Sequence, residues 1–363
     1  NMSTFGKQII INLFGESHGN GVGIVINNFP AGIKIDLDEI RRDLSLRRPS
    51  SKISTERVEM DEFKFLSGYY KGFTTGSPLS IFIENTNKRS KDYNREILRP
   101  SHADYTAHVK YNGYEDYRGG GHFSGRVTAP LMILGTLCKQ VLRSNGIYIG
   151  SHISSIKDIN DIMFKDVDIT NELLQTLVTS DFPLLDFSKK DSMINQIVNA
   201  KRDQDSVGGT IETSILGIKP GYGDPFFDSI ESTLSHLLFS IPAIKGVSFG
   251  AGFGISKMFG SEANDSILYD NGTIKTLTNN SGGIQGGISN GMPILVNCVV
   301  KPTASIGKLQ KSIDINTLES ADLELKGRHD PCIVQRAIHV VNAITNYAVL
   351  EIITRNEGYS WIK

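Results

Sequence analysis

The sequence predicts an α+β fold, antiparallel sheets packed with helices, on three observations. Near the N-terminus, strand-like runs follow one another across turns too short to hold a crossover helix, which makes their pairing antiparallel. Two long stretches, one after residue 124 and one over Ile333–Leu350, carry apolar residues at helical spacing. Glycines, 36 of 363 residues, gather in bursts near residues 15–23, 119–125, 246–254 and 282–291, the pattern of backbone-lined loops rather than flexible linkers. A chain of this length buries a sizeable core, as one large domain or two ordinary ones.

The first strand runs over Lys7–Leu13 and ends in Phe14-Gly15-Glu16-Ser17-His18-Gly19; Gly21–Ile26 is the second. Its place in a turn predicts an exposed imidazole for His18, a turn residue about as readily as a catalytic one. Asp36 and Glu39 open a helix in the manner of a capping box, Ile40 and Leu44 form its buried stripe, and Pro49 ends it. Arg41 and Arg42 suit the C-terminal end of that helix. Arg47, Arg48 and Lys52 lie beyond it, where a solvated basic face and a clamp for phosphate or carboxylate explain them equally well. Phe63–Tyr70 and Pro78–Glu84 form a hairpin, and the polar run Asn85–Tyr93 is a loop reaching toward Arg99.

The densest chemistry lies between Arg99 and Asn145. Tyr117-Arg118-Gly119-Gly120-Gly121-His122-Phe123-Ser124-Gly125-Arg126 reads as a loop feeding a helix. Ser124 is the N-cap, Val127, Leu131, Leu134, Cys138, Val141 and Leu142 form the apolar stripe, and Gly146 is the stop. Free N–H groups at that helix start, with His122 and Arg126 beside them, make an anion site. A bare corner at the glycines is the plainer reading. Ser101-His102-Ala103-Asp104-Tyr105-Thr106 upstream weighs against it, because a proton-transfer residue and a cationic clamp in one short stretch exceed what folding requires.

Ile147–Ile156 returns as a strand, and residues 157–190 carry no motif. Ser192–Asp203 reads as a helix burying Met193, Ile197 and Ala200; Thr210–Ile218 as a strand; Pro220–Pro225 as a turn; and Phe226–Phe239 as helical. Asn280–Gly291 offers backbone donors and acceptors that suit a flat ring or a phosphate, yet it matches neither a P-loop nor a dinucleotide fingerprint. A strand over Ile294–Val300 then leads into Lys301-Pro302-Thr303-Ala304-Ser305. Lys326-Gly327-Arg328-His329-Asp330-Pro331 precedes the last helix, either as a salt-bridged surface turn or as a site for an anion and a proton transfer.

With 38 Lys and Arg against 39 Asp and Glu, the net charge of −1 gives no overall attraction to nucleic acid or to an anionic membrane. Any anion must be held by local clusters. Cys138, Cys298 and Cys332, odd in number and without C-x-x-C spacing, argue against a disulfide framework or a zinc site and fit a reducing cytoplasm. The longest apolar run, Ala129–Cys138, is too short to cross a bilayer, and the N-terminus lacks a basic segment followed by an apolar one. An organelle of plastid type, after loss of a transit peptide, is the other location that fits.

Taken in order, Gly15-Glu16-Ser17-His18-Gly19, Arg47-Arg48-Pro49, Ser101–Thr106, Arg118-Gly119-Gly120-Gly121, Gly282–Gly291, Lys301-Pro302-Thr303 and Gly327-Arg328-His329-Asp330-Pro331 form a series that resembles the chorismate synthase family, from about residue 5 to residue 350. The resemblance implies one domain over residues 1–363, a single-core β-α-β sandwich, and a homotetramer. It implies a lyase that takes phosphate from C3 and a hydrogen from C6 of 5-enolpyruvylshikimate 3-phosphate to give chorismate, with reduced FMN required and no net redox change. By the family pattern His102 matches the histidine assigned to protonating the reduced flavin, His18 the one near the departing phosphate, and Asp330 an acid that assists removal of the C6 hydrogen through flavin N5.

FMN contacts carried over in the same way are His122, Phe123 and Ser124, Pro242 and Ala243, Gly286, the run Lys301, Pro302, Thr303, Ala304 and Ser305, and Arg328. Substrate contacts fall to Ser17, Arg47, Arg48, Lys52 and Arg126; no metal is implied. Many members have Arg-Ser-Ser where this chain has His122-Phe123-Ser124, which makes His122 either a third titrating group at the flavin or a packing residue. Some members reduce their flavin with NADPH near Arg47 and Lys52; without a nicotinamide fingerprint the monofunctional type is expected. If both catalytic histidines act as charged donors, activity falls above roughly pH 7 to 8. The alternatives are a flavin oxidoreductase acting on a phosphorylated carboxylate, and a non-catalytic binder of phosphorylated ligands.

Overall fold

A computed structural model describes residues 3–48, 61–86, 94–327 and 329–362. The chain begins with β1 (Thr4–Phe5), β2 (Ile10–Gly15) and β3 (Gly21–Asn27), and β3 buries Val22, Ile24 and Ile26 on one face. Next comes α1 (Leu37–Leu46), capped by the Asp36 carboxylate, which accepts from the Asp38 and Glu39 N–H groups. Ile40 and Leu44 are its buried stripe, as the spacing requires. β4 (Phe63–Ser67) and β7 (Leu79–Glu84) form the expected hairpin, with the small ribbon of β5 (Tyr69–Tyr70) and β6 (Phe73–Thr74) between them. The first sheet has the order β1-β2-β3-β7-β4 and is antiparallel throughout.

The short α2 (Asp104–Lys110) precedes α3 (Ala129–Ser144), which is entered through a 3₁₀ turn over Gly125–Thr128. β8 (Tyr148–Ile156) and β9 (Ile159–Asn160) follow, then α4 (Asn171–Thr179), α5 (Lys190–Arg202) and β10 (Gly209–Leu216). α4 is an element that residues 157–190 did not announce; it buries only Leu174 and Leu177, too sparse a stripe to stand out. Phe226–Phe239 divides at Ser229: the hydroxyl of Ser229 caps α6 (Ile230–Phe239), leaving Phe226–Asp228 as a separate turn.

β11 (Ile244–Phe249), the one-turn α7 (Gly260–Ala263), the hairpin of β12 (Ile267–Asp270) and β13 (Thr273–Thr276), the hairpin of β14 (Ile284–Gln285) and β15 (Ile288–Ser289), and β16 (Ile294–Val300) come next. β17 (Gln310–Ile313) pairs with β18 (Ser320–Leu323), and α8 (Val334–Glu357) closes the chain. The second sheet runs β11-β16-β10-β8-β9, again antiparallel.

α3 and α8 lie between the two sheets, α3 against β3 and α8 against β8 and β10, so the layers are sheet, helices, sheet. The helices touch closely where Gly135 meets Ala343: a Cβ on Gly135 would lie 2.3 Å from that of Ala343. α8 is buried on all sides from Val334 to Thr354. By length and hydropathy it meets the requirement for a membrane span, and its apolar character answers to this burial inside the protein.

One buried charged cluster ties residues 157–190 to the second sheet. The fully buried His152 imidazole lies 2.8 Å from Asp161 Oδ2 through Nδ1 and 2.7 Å from Glu212 Oε1 through Nε2. Asp161 also accepts from the Leu185 and Asp186 N–H groups, and Glu212 from that of Phe164. Burial by itself lowers the His152 pKa, but the two carboxylates outweigh it and raise the value above the ordinary one. A raised folded-state pKa gives stability that is complete below about pH 6.5 and is lost as pH climbs through the folded value. Removing the ring leaves two carboxylates facing each other, so His152→Ala lowers unfolding free energy by about 3–5 kcal/mol in urea titrations. The gap between wild type and variant narrows from neutral toward alkaline pH; a gap that widens with pH sinks this account.

Candidate active site

A cavity of roughly 1760 Å³ opens where distant segments meet, among them residues 3–13, 94–108, 115–128, 236–244, 301–304 and 322–326. Its electrostatics begin with Arg99. The guanidinium binds Asp104 at two points, Nη2 to Oδ1 at 2.8 Å and Nε to Oδ2 at 2.9 Å, and the Arg99 N–H donates to the same carboxylate. This pins the turn in which Ser101 has φ +62°, and it sends the His102 ring toward Ser305, with Nε2 and Oγ 2.7 Å apart. Lys301 Nζ donates to the Ser101 carbonyl at 2.8 Å, so residues two hundred positions apart close one wall.

The glycine triplet forms the facing wall. Gly119, Gly120 and Gly121 have φ of +61°, +86° and +55°, a run that side chains resist. A Cβ on Gly119 would fall 2.1 Å from Cε1 of His18, so the imidazole packs directly on that backbone, and the Ser17 N–H donates to the Gly121 carbonyl at 3.0 Å. His18 is therefore 6 % exposed, not the exposed turn residue expected, and it sits behind Gly119 rather than on the cavity surface. Bare glycine allows an approach that the sequence pattern of a turn does not reveal.

His102 also departs from expectation. Burial pushes its pKa down to about 4, reinforced by the Arg99 and Lys301 cations and opposed by Asp104. These surroundings favour the neutral ring. Asp330 moves the other way: burial raises its carboxyl against the lowering effect of Arg336, whose Nη1 is 2.5 Å from Oδ2. Its Oδ1 has no hydrogen-bond partner among the described residues. Asp330 flanks the cavity without lining it, since Lys326 and Ile333 on either side form the wall.

The remaining candidates divide. Phe123, Ser124, Pro242, Ala243, Lys301, Pro302, Thr303 and Ala304 line the cavity, and Ala243 holds the strained φ of +76°. His122 lines it too, but its Nδ1–H donates to the Gly15 carbonyl at 2.7 Å and its Nε2 accepts from the Ser3 hydroxyl at 2.8 Å. Both nitrogens are engaged by protein atoms, which fixes how the ring stands in the wall. Gly286 lies away from the cavity, as the tip of the β14–β15 hairpin, with positive φ at Gly286 and Gly287. Arg328 and Lys52 lie outside the described residues.

The arginines are committed elsewhere. Arg47 binds Thr128 Oγ1 and the Gly125 carbonyl and approaches Asp61 to 3.7 Å; Arg126 pairs with the same Asp61 and with Asn85 Oδ1. Neither points its charge into the cavity, and Arg126 does not join the anion site expected at the helix start. Ser124 caps that start instead, accepting from the Arg126 N–H at 3.2 Å. Arg48 is half-buried, with Nε unpaired among the described residues. Sequence reasoning missed Asp61, Arg336 and the Arg99–Asp104 pair; only the last was findable, from the i, i+5 spacing around a proline.

Because His18 rests on Gly119, Gly119→Ala moves the ring by an ångström or more. The expected result is a loss of turnover of about a hundredfold in a folded protein with an unchanged far-UV spectrum; full turnover in that variant rules out the packing role.

A family profile described as chorismate synthase matches residues 9–354. The chain is 38 % identical to a chorismate synthase of Thermococcus kodakarensis over 357 residues, covering 98 % of each, and 40 % identical to one of Dehalococcoides mccartyi over 356 residues, covering 97 % of each. A crystal structure of chorismate synthase superposes with a TM-score of 0.75 at 28 % identity, over 98 % of this chain and 94 % of that one. The α+β sandwich, the ordered signature motifs and these full-length likenesses agree, and the chain belongs to the chorismate synthase family of carbon–oxygen lyases.

Proposed function

We propose that the cavity carries out the family's elimination of phosphate from 5-enolpyruvylshikimate 3-phosphate with reduced FMN bound beside the substrate, in one domain spanning the chain. The observation that carries this reading is the meeting of His102, Lys301, Thr303 and the glycine wall around one space large enough for both molecules. The residues fit an anionic flavin: among the described residues Thr303 Oγ1 is shielded from water with no partner, and the Lys301 charge is met by a carbonyl and by no carboxylate. Lys301, Thr303, Ser124 and the backbone of Pro242 and Ala243 would hold it. When bound, reduced FMN supplies the electron density that weakens the allylic C–O bond.

The protein's part is protonic and electrostatic. His18, behind Gly119, offsets charge growing on the leaving phosphate, and Asp330, with its raised pKa, takes up a proton on the opposite flank. Burial, with the Arg99 and Lys301 cations, outweighs Asp104 and favours a neutral His102; a polyanion arriving in the cavity shifts that balance, so the ring gains a proton with the ligand and keeps it against Ser305. Activity then falls as pH rises beyond about 7 to 8, where the ring of the complex loses that proton. NADPH is not consumed.

The exposed aromatic side chains Phe226, Phe227, Phe253, Phe259 and Tyr269 support a homotetramer, since such apolar area is normally covered. The three cysteines are all free and buried, in keeping with a cytoplasmic enzyme. Sedimentation at micromolar concentration is expected to give a species of four chains; a monomer at that concentration refutes the assembly.

Anaerobic release of inorganic phosphate tests the chemistry. Chemically reduced FMN supports many turnovers without NADPH, and His18→Ala and His102→Ala each lower the rate by at least about a hundredfold. Stoichiometric consumption of NADPH would instead mark an oxidoreductase.

A further inference from the structure

Within the turn that carries His18, the Gly19 N–H donates to the Glu16 carbonyl at 3.1 Å. Its shape is set from outside. Asn85, the first residue beyond β7, is 7 % exposed, and every polar group of its side chain is used. Nδ2 donates to the Glu16 carbonyl at 2.9 Å and to the Gly19 carbonyl at 3.0 Å, while Oδ1 accepts from Arg126 Nε at 3.0 Å. Its backbone N–H donates to the Asn20 carbonyl at 3.0 Å. The orientation of the amide is fixed by chemistry, because two carbonyls only accept and a guanidinium only donates.

Those two carbonyls bracket Ser17 and His18. One amide therefore sets the span of the turn from below, while Gly119 and Gly121 bound it from above through the His18 ring and the Ser17 N–H. Arg126 holds the amide in place and is itself paired with the buried Asp61. We propose that Asn85 is a positioning residue for His18: it touches no substrate, and it fixes where the imidazole stands relative to the cavity. The proposal rests on the reading of His18 as a residue of the reaction.

Asn85→Asp is the sharpest variant. It keeps the acceptor for Arg126 and the volume of the side chain, but it turns a carboxylate oxygen toward two carbonyls and so removes both donors. Asn85→Ala, which lets water into the gap, is the second. Both are measured beside His18→Ala for kcat and KM in the anaerobic phosphate-release assay with reduced FMN, and for the His18 imidazole by proton–nitrogen NMR, with His18→Ala assigning its resonances. The expected outcome is a fall in kcat of about tenfold to a hundredfold with KM changed far less, together with displaced His18 resonances and a shifted His18 titration. A residue that only stabilises the fold lowers Tm and leaves kcat per folded molecule and the resonances alone.

The two readings fail separately. A wild-type rate in His18→Ala overturns the role of His18, and with it the role given to Asn85. A slow His18→Ala beside folded Asn85→Asp and Asn85→Ala proteins with full kcat and unmoved His18 resonances overturns Asn85 alone.

Discussion

A helix with protein on every side must answer its own polar groups, and α8 shows what that requires. Thr345, Asn346 and Thr354 return their side chains to the carbonyls of Val341, Asn342 and Leu350 four residues back. Glu351, with no exposure at all, accepts from the N–H groups of Lys7, Gln8 and Ile9 at 3.0, 2.6 and 3.3 Å. That carboxylate fixes the point from which β2 departs, and β2 leads directly into the turn of His18. At the other end α8 begins a few residues after Asp330, where the Pro331 carbonyl accepts from Val207. One buried helix thus anchors the approaches to two sides of the cavity, so the requirement that it be satisfied internally is also what aligns the site.

The charge pattern is economical in a second way. The chain is nearly neutral, yet its cleft must receive an anion. Arg99 is neutralised by Asp104, Arg336 by Asp330, Arg118 by Asp116, and Arg47 with Arg126 by the single Asp61. Paired in this way the guanidiniums orient loops rather than draw ligand. Lys301, bound to a carbonyl, contributes a charge that no carboxylate of the described residues cancels. The paired guanidiniums therefore hold the walls, while Lys301 and Lys326 bring positive charge to the cavity surface.

How much of this the sequence carried depends on whether the signal is local. Asp36 as a cap, Ile40 and Leu44 as a stripe, the Phe63–Glu84 hairpin and the apolar face after Ser124 are all set by residues near one another in sequence, and all are found as read. The insertion of β16 between β11 and β10 is set by packing and has no local mark. In Ile284-Gln285-Gly286-Gly287-Ile288-Ser289 two glycines between alternating residues mark a tight hairpin, a local signal that backbone-lined loops share. Arg47 and Arg126 were legible as cations and illegible as partners, because Asp61 reaches them only through the fold.

Three histidines make the same point in electrostatic terms. His152 lies between two carboxylates and holds its proton more tightly than usual; His102 lies among cations and releases it far below the usual range; His122 is placed between a carbonyl and a hydroxyl, which decides which nitrogen bears the hydrogen. Spacing and motif treat all three alike. What distinguishes them is burial weighed against the charges nearby: at His102 burial, Arg99 and Lys301 outweigh Asp104, and at His152 two carboxylates outweigh burial. On the function proposed above, a polyanion in the cavity would shift the first balance, whereas the carboxylates at His152 and the fixed dipoles at His122 leave little to change. His339, buried in α8, has its pKa pushed down to about 4 as well, so what sets His102 apart is its place in the cavity wall beside Ser305.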